Sequence, residues 1–143
     1  KRNMGVLPDR LRLFDRLTGA QLLFYAGALR GMDGETVRAR TADLAHAFGL
    51  EPHLAKPLYM LSTGSRRKVW LAAALASDRA LLLLDEPTGA LDARSIAHLM
   101  AALADEAGRA ERIVIVASSQ TLPPAIALAA CVELPIQGAA LTR

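Results

Sequence analysis

Residues 81–92, LLLLDEPTGALD, constrain the fold of this chain more than any other stretch. Four leucines are followed by two adjacent carboxylates, Asp85 and Glu86, and then by Pro87. The apolar run is short, and the residue before a proline is disfavoured in helical geometry, so the run predicts a buried β-strand over 80–84. The two carboxylates would then lie at the carboxyl end of that strand, where ligands bind in open α/β sheets.

The rest of the chain reads as an alternation of helices and strands. Helices are predicted over 18–32, 35–48, 63–76 and 93–107, a second strand over 112–117, and, further on, a short helix over 123–130 and a strand pair across Gly138. Strand, helix and strand in this order predict a parallel sheet with a right-handed crossover. Both strand segments are apolar at every position, which is typical of strands covered on both faces.

The composition narrows the class of protein. The chain has 143 residues, of which 52% are hydrophobic and 4% aromatic, as in a soluble α or α/β protein with a substantial core. No apolar stretch reaches the ~18 residues that cross a bilayer. The net charge of +3 comes from scattered basic residues and does not indicate nucleic-acid binding. The single cysteine, Cys131, is expected to be a buried thiol in a reducing compartment.

A second segment, LSTGSRRK at 61–68, predicts a helix start suited to an anion. Ser62 is the expected N-cap, and Gly64 would expose the backbone there. Basic residues at 66–68 oppose the helix dipole by roughly 0.3–1 kcal/mol each, a cost that is tolerable if a phosphate binds nearby. The alternative is a capped helix with a solvated basic face. For DEPTG the corresponding alternative is a turn with ordinary solvated acids.

The paired acids suggest a division of labour. Adjacent residues at the end of a strand point in different directions, so one can bind a metal while the other contacts a water. Asp85 would hold Mg²⁺, which prefers oxygen ligands and shares itself between protein and phosphates. Glu86 would polarise the water that attacks in phosphoryl transfer.

Together, and in this order, the two segments resemble the ATP-binding cassette (ABC) family. LSTGSRRK is similar to the family's signature motif, LLLLDE to its Walker B strand, and GALD, ending at Asp92, to its D-loop. Residues 4–32 resemble the Q-loop and the first helix of the helical subdomain. The resemblance implies an α/β, P-loop NTPase-like partial parallel sheet with an α-helical subdomain. It divides the chain into a Q-loop remnant at 1–14, a helical subdomain at 15–60, and the signature helix, Walker B, D-loop and switch strand at 61–143.

The resemblance also implies ATP and Mg²⁺ as cofactors and assigns residues to them. Glu86 and Ser119 would be catalytic, and Asp85 and Asp9 would bind the metal. The nucleotide would contact Leu61, Ser62, Thr63, Gly64, Ser65 and Asp92. Two positions depart from the family: Asp9 stands at the Q-loop position, which usually carries glutamine or glutamate, and Ser119 at the switch position, which normally carries histidine.

The function that this resemblance implies is that of an ATP-binding subunit, which couples ATP binding and hydrolysis to transmembrane transport. The implied partners are a second nucleotide-binding domain, in a homo- or heterodimer, and transmembrane permease subunits. The protein would lie peripherally at the cytoplasmic face of the inner (cell) membrane, and no nucleic acid is expected. DNA-associated relatives carry long coiled coils or zinc-binding cysteines, which the compact helical pair and the single cysteine disfavour.

One family motif does not occur in these 143 residues: the phosphate cradle G-x-x-x-x-G-K-[ST]. In the family it lies upstream of the Q-loop, so we expect the chain to begin after it and to be inactive alone. The alternative is a non-hydrolysing pseudo-ATPase or dimerisation module that lends its signature motif in trans. The strand over 112–117 is expected to be an unpaired apolar edge, which would promote association between chains.

Overall fold

The computed structural model describes residues 4–7, 14–29, 31–76, 80–109 and 111–120. Asp9, Cys131, the helix predicted over 123–130 and the strand pair predicted across Gly138 lie outside these residues. The described elements, in chain order, are β1 (Met4–Leu7), α1 (Gly19–Ala28), α2 (Gly34–Ala47), α3 (Thr63–Ala76), β2 (Leu81–Asp85), α4 (Ala93–Gly108) and β3 (Ile113–Ala117).

The three strands form a parallel sheet in the order β1-β2-β3. Helix α4 connects β2 to β3, so the predicted parallel pair with its helical crossover is confirmed. β1 pairs with β2 from Met4 opposite Leu81 to Leu7 opposite Leu84. No strand was predicted for these residues, because four residues are too few for a periodicity to appear. The amino-terminal segment therefore contributes a strand to the same sheet as the Walker B-like strand.

The predicted element bounds are close to those observed. Helix α3 has the predicted bounds, and β2 begins one residue later than predicted and includes Asp85. Helix α1 is shorter at both ends than the predicted 18–32. Thr18 caps it in a capping box with Gln21, and Gly31, at φ +74°, lies beyond its last residue, Ala28.

The core is built around α3. Its residues 69–76 are all buried, and the helix contacts α1, α2 and β1. Helices α1 and α2, which form the predicted helical subdomain and which we call the helical unit, therefore share one hydrophobic cluster with the sheet. Its members include Leu23 of α1, Phe48 after α2 and Leu84 of β2. No helix among the described residues is long and apolar enough to cross a membrane.

A buried ion cluster adds a polar link between the helical unit and the sheet. Glu106 of α4 is 4% exposed and pairs with Arg40 of α2 at 3.6 Å, with Arg109 at 3.5 Å and with Arg112 just before β3. Arg40 also donates to the carbonyl of Leu75 at the end of α3, at 3.2 Å. A buried carboxylate needs such partners to offset its desolvation.

The two faces of the sheet have different surroundings. One face, with Leu7, Leu82 and Leu84, is buried in the core. We call the other the open face; its members in the described strands are Met4, Val6, Leu81, Leu83, Ile113 and Ile115. Exposure there reaches 61% at Ile113 and 52% at Ile115. The prediction of strands covered on both faces is therefore confirmed for one face only within the described part of the chain.

Candidate functional site

Helix α3 begins as the sequence predicts. The Ser62 hydroxyl accepts from the main-chain N–H of Ser65 at 3.1 Å and donates to the Ser65 hydroxyl at 3.0 Å, so Ser62 is the N-cap. Leu61 is buried beneath the helix start, whereas Ser62 and Thr63 are exposed. The helix start therefore presents polar groups to solvent above an apolar anchor.

Gly64 lies against the loop that follows β2. A Cβ atom at this position would come within 2.6 Å of the carbonyl oxygen of Ala90, a separation that real Cβ atoms essentially never show. Ala90 itself has φ +58°, in the left-handed region that non-glycine residues seldom adopt. The glycine is thus required for close packing of the helix start on this loop. We call residues 85–92, together with Ser118 and Ser119, the carboxyl edge.

The basic residues at 66–68 do not form a solvated face. Arg66 donates to the carbonyl of Leu58 at 3.1 Å and lies 3.8 Å from the carboxylate of Asp15. Arg67 is only 6% exposed. Its guanidinium donates to the carbonyls of Glu86 at 2.6 Å and Asp85 at 3.3 Å. The interpretation that these charges await a phosphate is therefore wrong for Arg67, whose charge is directed into the protein.

Lys68 and Asp92 join the same helix to the next one. The Lys68 ammonium contacts the Asp92 carboxylate at 2.5 Å. The other oxygen of that carboxylate accepts from the N–H of Ser95 at 2.8 Å and so caps α4. The hydrogen bond from Lys68, followed by those from Ser95, holds the pKa of Asp92 well below its usual value. Both oxygens of Asp92, which the family resemblance assigns to nucleotide binding, thus have partners within the chain.

Asp85 and Glu86 lie at the end of β2 with different backbone conformations. Asp85 is the last residue of the strand, opposite Ala117 of β3, and it is exposed. Glu86 has φ +47°, which turns the chain sharply after the strand. The Glu86 N–H still donates to the carbonyl of Ala117 at 2.9 Å. The left-handed conformation therefore separates the directions of the two neighbouring carboxylates.

The structure brings Glu86 and Ser119 together. One oxygen of the Glu86 carboxylate accepts from the main-chain N–H of Ser119 at 2.5 Å. Hydrogen bonds from the side chain and the main chain of Ser119 lower the pKa of Glu86, and the positive charge of Arg67 acts in the same direction. The two residues that sequence reasoning named as catalytic are thus in direct contact, although through a backbone group rather than through the serine side chain alone.

The residues at the carboxyl edge fit a magnesium ion shared with phosphates. Asp85 offers one exposed carboxylate, and among the described residues no cluster of three or more His, Cys, Asp or Glu could hold a metal. Mg²⁺ is commonly bound by one or two carboxylates together with waters and phosphate oxygens, whereas Ca²⁺ takes more oxygen ligands from the protein. The second predicted ligand, Asp9, lies outside the described residues.

Sequence reasoning missed the role of Arg67. The signal was present in the helix period: Arg67 lies three residues after Gly64 and four before the fully buried Leu71, on the face that packs inward. A basic residue on an apolar face is a candidate for a buried charge with backbone acceptors.

Comparisons with known proteins identify the family of the chain. A family model described as ABC transporter matches residues 1–89. The chain is 38% identical over 96 residues to the ABC transporter ATP-binding protein NatA of Bacillus subtilis (strain 168), which covers 66% of this chain and 39% of that protein. It is 31% identical over 140 residues to the phospholipid-transporting ATPase ABCA3 of Mus musculus, covering 96% of this chain and 8% of ABCA3. The chain thus spans less than half the length of these curated relatives.

Solved structures share the fold. The dimeric post-hydrolysis structure of the ATP-binding cassette MJ0796 bound to ADP and Pi matches with a TM-score of 0.72 and 25% identity, over 83% of this chain and 53% of that one. The ATP-binding subunit of an ABC transporter matches with a TM-score of 0.73 and 22% identity, over 82% of this chain and 48% of that one. The fold is therefore that of the P-loop NTPase-like ABC ATPase domains. The chain belongs to the ABC transporter family and corresponds to part of its nucleotide-binding domain.

Proposed function

We propose that the chain acts within an ATP-binding subunit that couples ATP binding and hydrolysis to transmembrane transport. The observation that carries this proposal is the position of Glu86. Its carboxylate lies at the carboxyl end of a parallel strand and directly follows the exposed Asp85. It is also held by the N–H of Ser119 at 2.5 Å. An acid that is fixed beside an exposed second acid suits the activation of a water next to a magnesium-bound phosphate.

In this proposal each acid has one role. Asp85 holds Mg²⁺ through its exposed carboxylate, and Asp9 is a second proposed ligand. When bound, the ion neutralises charge on the terminal phosphates of ATP. Ser119 holds the Glu86 carboxylate in place through its main-chain N–H, and Glu86 orients the attacking water and accepts its proton. Ser119 is proposed to act in catalysis by holding that carboxylate.

The helix start of α3 is proposed to bind the nucleotide of a second domain. The exposed Ser62 and Thr63, with the main-chain N–H of Gly64 and the hydroxyl of Ser65, provide polar groups at a helix N-terminus above Leu61. Asp92 would support this surface through its ion pair with Lys68. The MJ0796 cassette, a dimer bound to ADP and Pi, supports a paired arrangement. The partner is a second nucleotide-binding domain, identical or not.

A membrane partner completes the proposal. The Macrolide export ATP-binding/permease protein MacB of Salmonella typhimurium, 32% identical over 116 residues that cover 81% of this chain and 18% of MacB, has both functions in its name. We therefore propose that this chain associates with transmembrane permease subunits from the cytoplasmic face of the inner membrane.

The test is ATP turnover by the chain joined to a segment that carries the G-x-x-x-x-G-K-[ST] string. Glu86→Gln should lower the rate by about 10²–10⁴-fold, because the amide cannot accept a proton from water. Glu35→Gln, an exposed residue in the first turn of α2, is the matched control and should retain the rate. Equal rates for the two variants would contradict the proposal.

A second candidate function is a non-hydrolysing module that lends its signature helix to a partner. The observation in its favour is Ser119, which contacts Glu86 but supplies neither the charge nor the length of an imidazole. In this case the chain joined to a P-loop segment would not hydrolyse ATP, and Glu86→Gln would therefore have no effect on the rate. The joined chain would nevertheless stimulate a partner cassette whose own signature motif is disabled.

A further inference from the structure

Arg67 is a buried positive charge in the first turns of a helix, where the helix dipole disfavours a cation. The side chain is buried, and its Nη1 donates to two consecutive carbonyls, those of Asp85 and Glu86, at 3.3 and 2.6 Å. A buried guanidinium is stable only when acceptors offset its desolvation. The acceptors here belong to the two residues that carry the proposed chemistry. The positive charge of Arg67 is therefore directed at backbone carbonyls of the carboxyl edge and not at solvent.

The Glu86 backbone adopts a conformation that requires support from its surroundings. Its φ of +47° lies in the left-handed region, which a non-glycine residue keeps only when neighbouring contacts determine it. The N–H of Glu86 is held by the Ala117 carbonyl at 2.9 Å, and its carbonyl is held by Arg67 at 2.6 Å. With the peptide groups on both sides fixed, the side chain is directed at the N–H of Ser119.

We propose that Arg67 is a positioning residue for Glu86: by holding the Asp85 and Glu86 carbonyls, it keeps the Glu86 carboxylate against the Ser119 N–H. The catalytic meaning of this position rests on the proposed function, whereas the geometric statement does not. Because Arg67 is part of α3, it links the start of this helix to the Glu86 backbone within one chain.

The neighbouring arginine provides a matched control. Arg66 also donates to two main-chain carbonyls, those of Leu58 at 3.1 Å and Tyr59 at 3.5 Å, but these lie before α3 and away from β2. Removing either guanidinium deletes one positive charge from the same helical turn. Only the removal of Arg67 should affect the contact between Glu86 and Ser119.

The experiment measures the Ser119 amide in the 143-residue chain and its Arg67→Met and Arg66→Met variants. Hydrogen exchange, resolved to single residues by mass spectrometry, reports the bond whether or not the chains associate. We expect the Ser119 amide to exchange about tenfold faster in Arg67→Met, and at the original rate in Arg66→Met. The nuclear magnetic resonance signal of the Ser119 amide proton should also lose its downfield position in Arg67→Met only.

Arg67→Lys is a second, more conservative variant that keeps the test possible if Arg67→Met does not fold. Lysine keeps the charge but presents one nitrogen instead of a planar fork, so the Ser119 amide should change in the same direction by a smaller amount. If a folded Arg67 variant leaves both Ser119 readouts as in the original chain, or if Arg66→Met changes them equally, the positioning role is wrong.

An activity measurement separates this inference from the proposed function. In the chain joined to a P-loop segment, Arg67→Met should lower kcat and leave the KM for ATP nearly unchanged, and Arg67→Lys should recover part of kcat. If the amide readouts change as expected and no ATP is hydrolysed by any version, the positioning role stands and the proposed function fails.

Discussion

The carboxyl edge and the open face lie on the same small sheet, but they differ in how many of their side chains have partners within the chain. At the carboxyl edge, Arg67, Lys68 and Asp92 all have partners within the chain, and Gly64 allows the helix to touch the loop. On the open face, Ile113 and Ile115 remain more than half exposed. The charged groups at the carboxyl edge are therefore held by contacts within this chain, whereas the open face carries apolar surface that the described residues do not cover.

The largest expected difference lies between the two faces of the sheet. Leu84→Ala empties a core position that is 2% exposed and should lower the free energy of unfolding by about 2–5 kcal/mol. Ile115→Ala, on the open face, should lower it by less than about 1 kcal/mol. Urea titration of both variants measures the difference. Equal losses would show that the open face is packed in solution.

A pair of glycines tests the close contact at the carboxyl edge. Gly64→Ala should lower the free energy of unfolding by about 1–3 kcal/mol, because the new Cβ would meet the Ala90 carbonyl at 2.6 Å. Gly108→Ala, at the last residue of α4 with nothing within 4 Å, should raise it by about 0.4–1 kcal/mol. Thermal melts of both proteins give the sign of each change, and a stabilising Gly64→Ala would contradict the described packing.

The ion pair between Lys68 and Asp92 should make a smaller, pH-dependent contribution. The folded pKa of Asp92 is depressed, so its stabilising effect is complete above the unfolded value of about 3.9 and declines as the pH falls below it. Asp92→Asn can still cap α4 but lacks the charge, and it should therefore melt below the original protein at pH 7. The gap between their melting temperatures should narrow toward pH 3; a gap that widens on acidification would have the wrong sign.

The smallest effect on stability is expected from a charge on the open face. Ile113→Lys should leave the melting temperature nearly unchanged but reduce association of the chain, because β3 is an apolar strand with an exposed face. Met60→Lys is a control with the same exposure, 61%, on the helical unit. Light scattering at matched concentrations distinguishes them. Equal association of both variants would show that the open face does not drive it.

Much of the fold was predictable because its signals are local. Among the described residues, four helices and two of three strands follow from apolar periodicity, Thr18 and Ser62 are recognisable caps, and the order of the elements predicts a parallel sheet. β1 was missed because its pairing with β2 is a long-range contact that four residues cannot signal. Within the described part of the chain the open face is not covered as predicted, because an apolar pattern shows what a strand could bury and not what covers it.

The candidate site was predictable in its residues but not in their contacts. The family resemblance assigned Glu86 and Ser119 to the same site, and in the structure the Glu86 carboxylate lies 2.5 Å from the Ser119 N–H. The left-handed turn at Glu86 and the inward direction of Arg67 depend on how α3 contacts the loop that follows β2, which no single segment encodes. The sequence therefore suggested that a nearby phosphate offsets the charge of Arg67, whereas backbone carbonyls accept from its guanidinium.

The central claim is that the carboxyl edge of one chain works with the helix start of another. Complementation tests it most directly: Ser62→Arg and Glu86→Gln are made separately in the chain joined to a P-loop segment, and ATP turnover is measured for each variant and for their mixture. We predict that neither variant turns over ATP alone and that the mixture does, because one mixed site combines an intact Glu86 with an intact Ser62. A mixture as inactive as its components, beside an active unmodified protein, would contradict the claim.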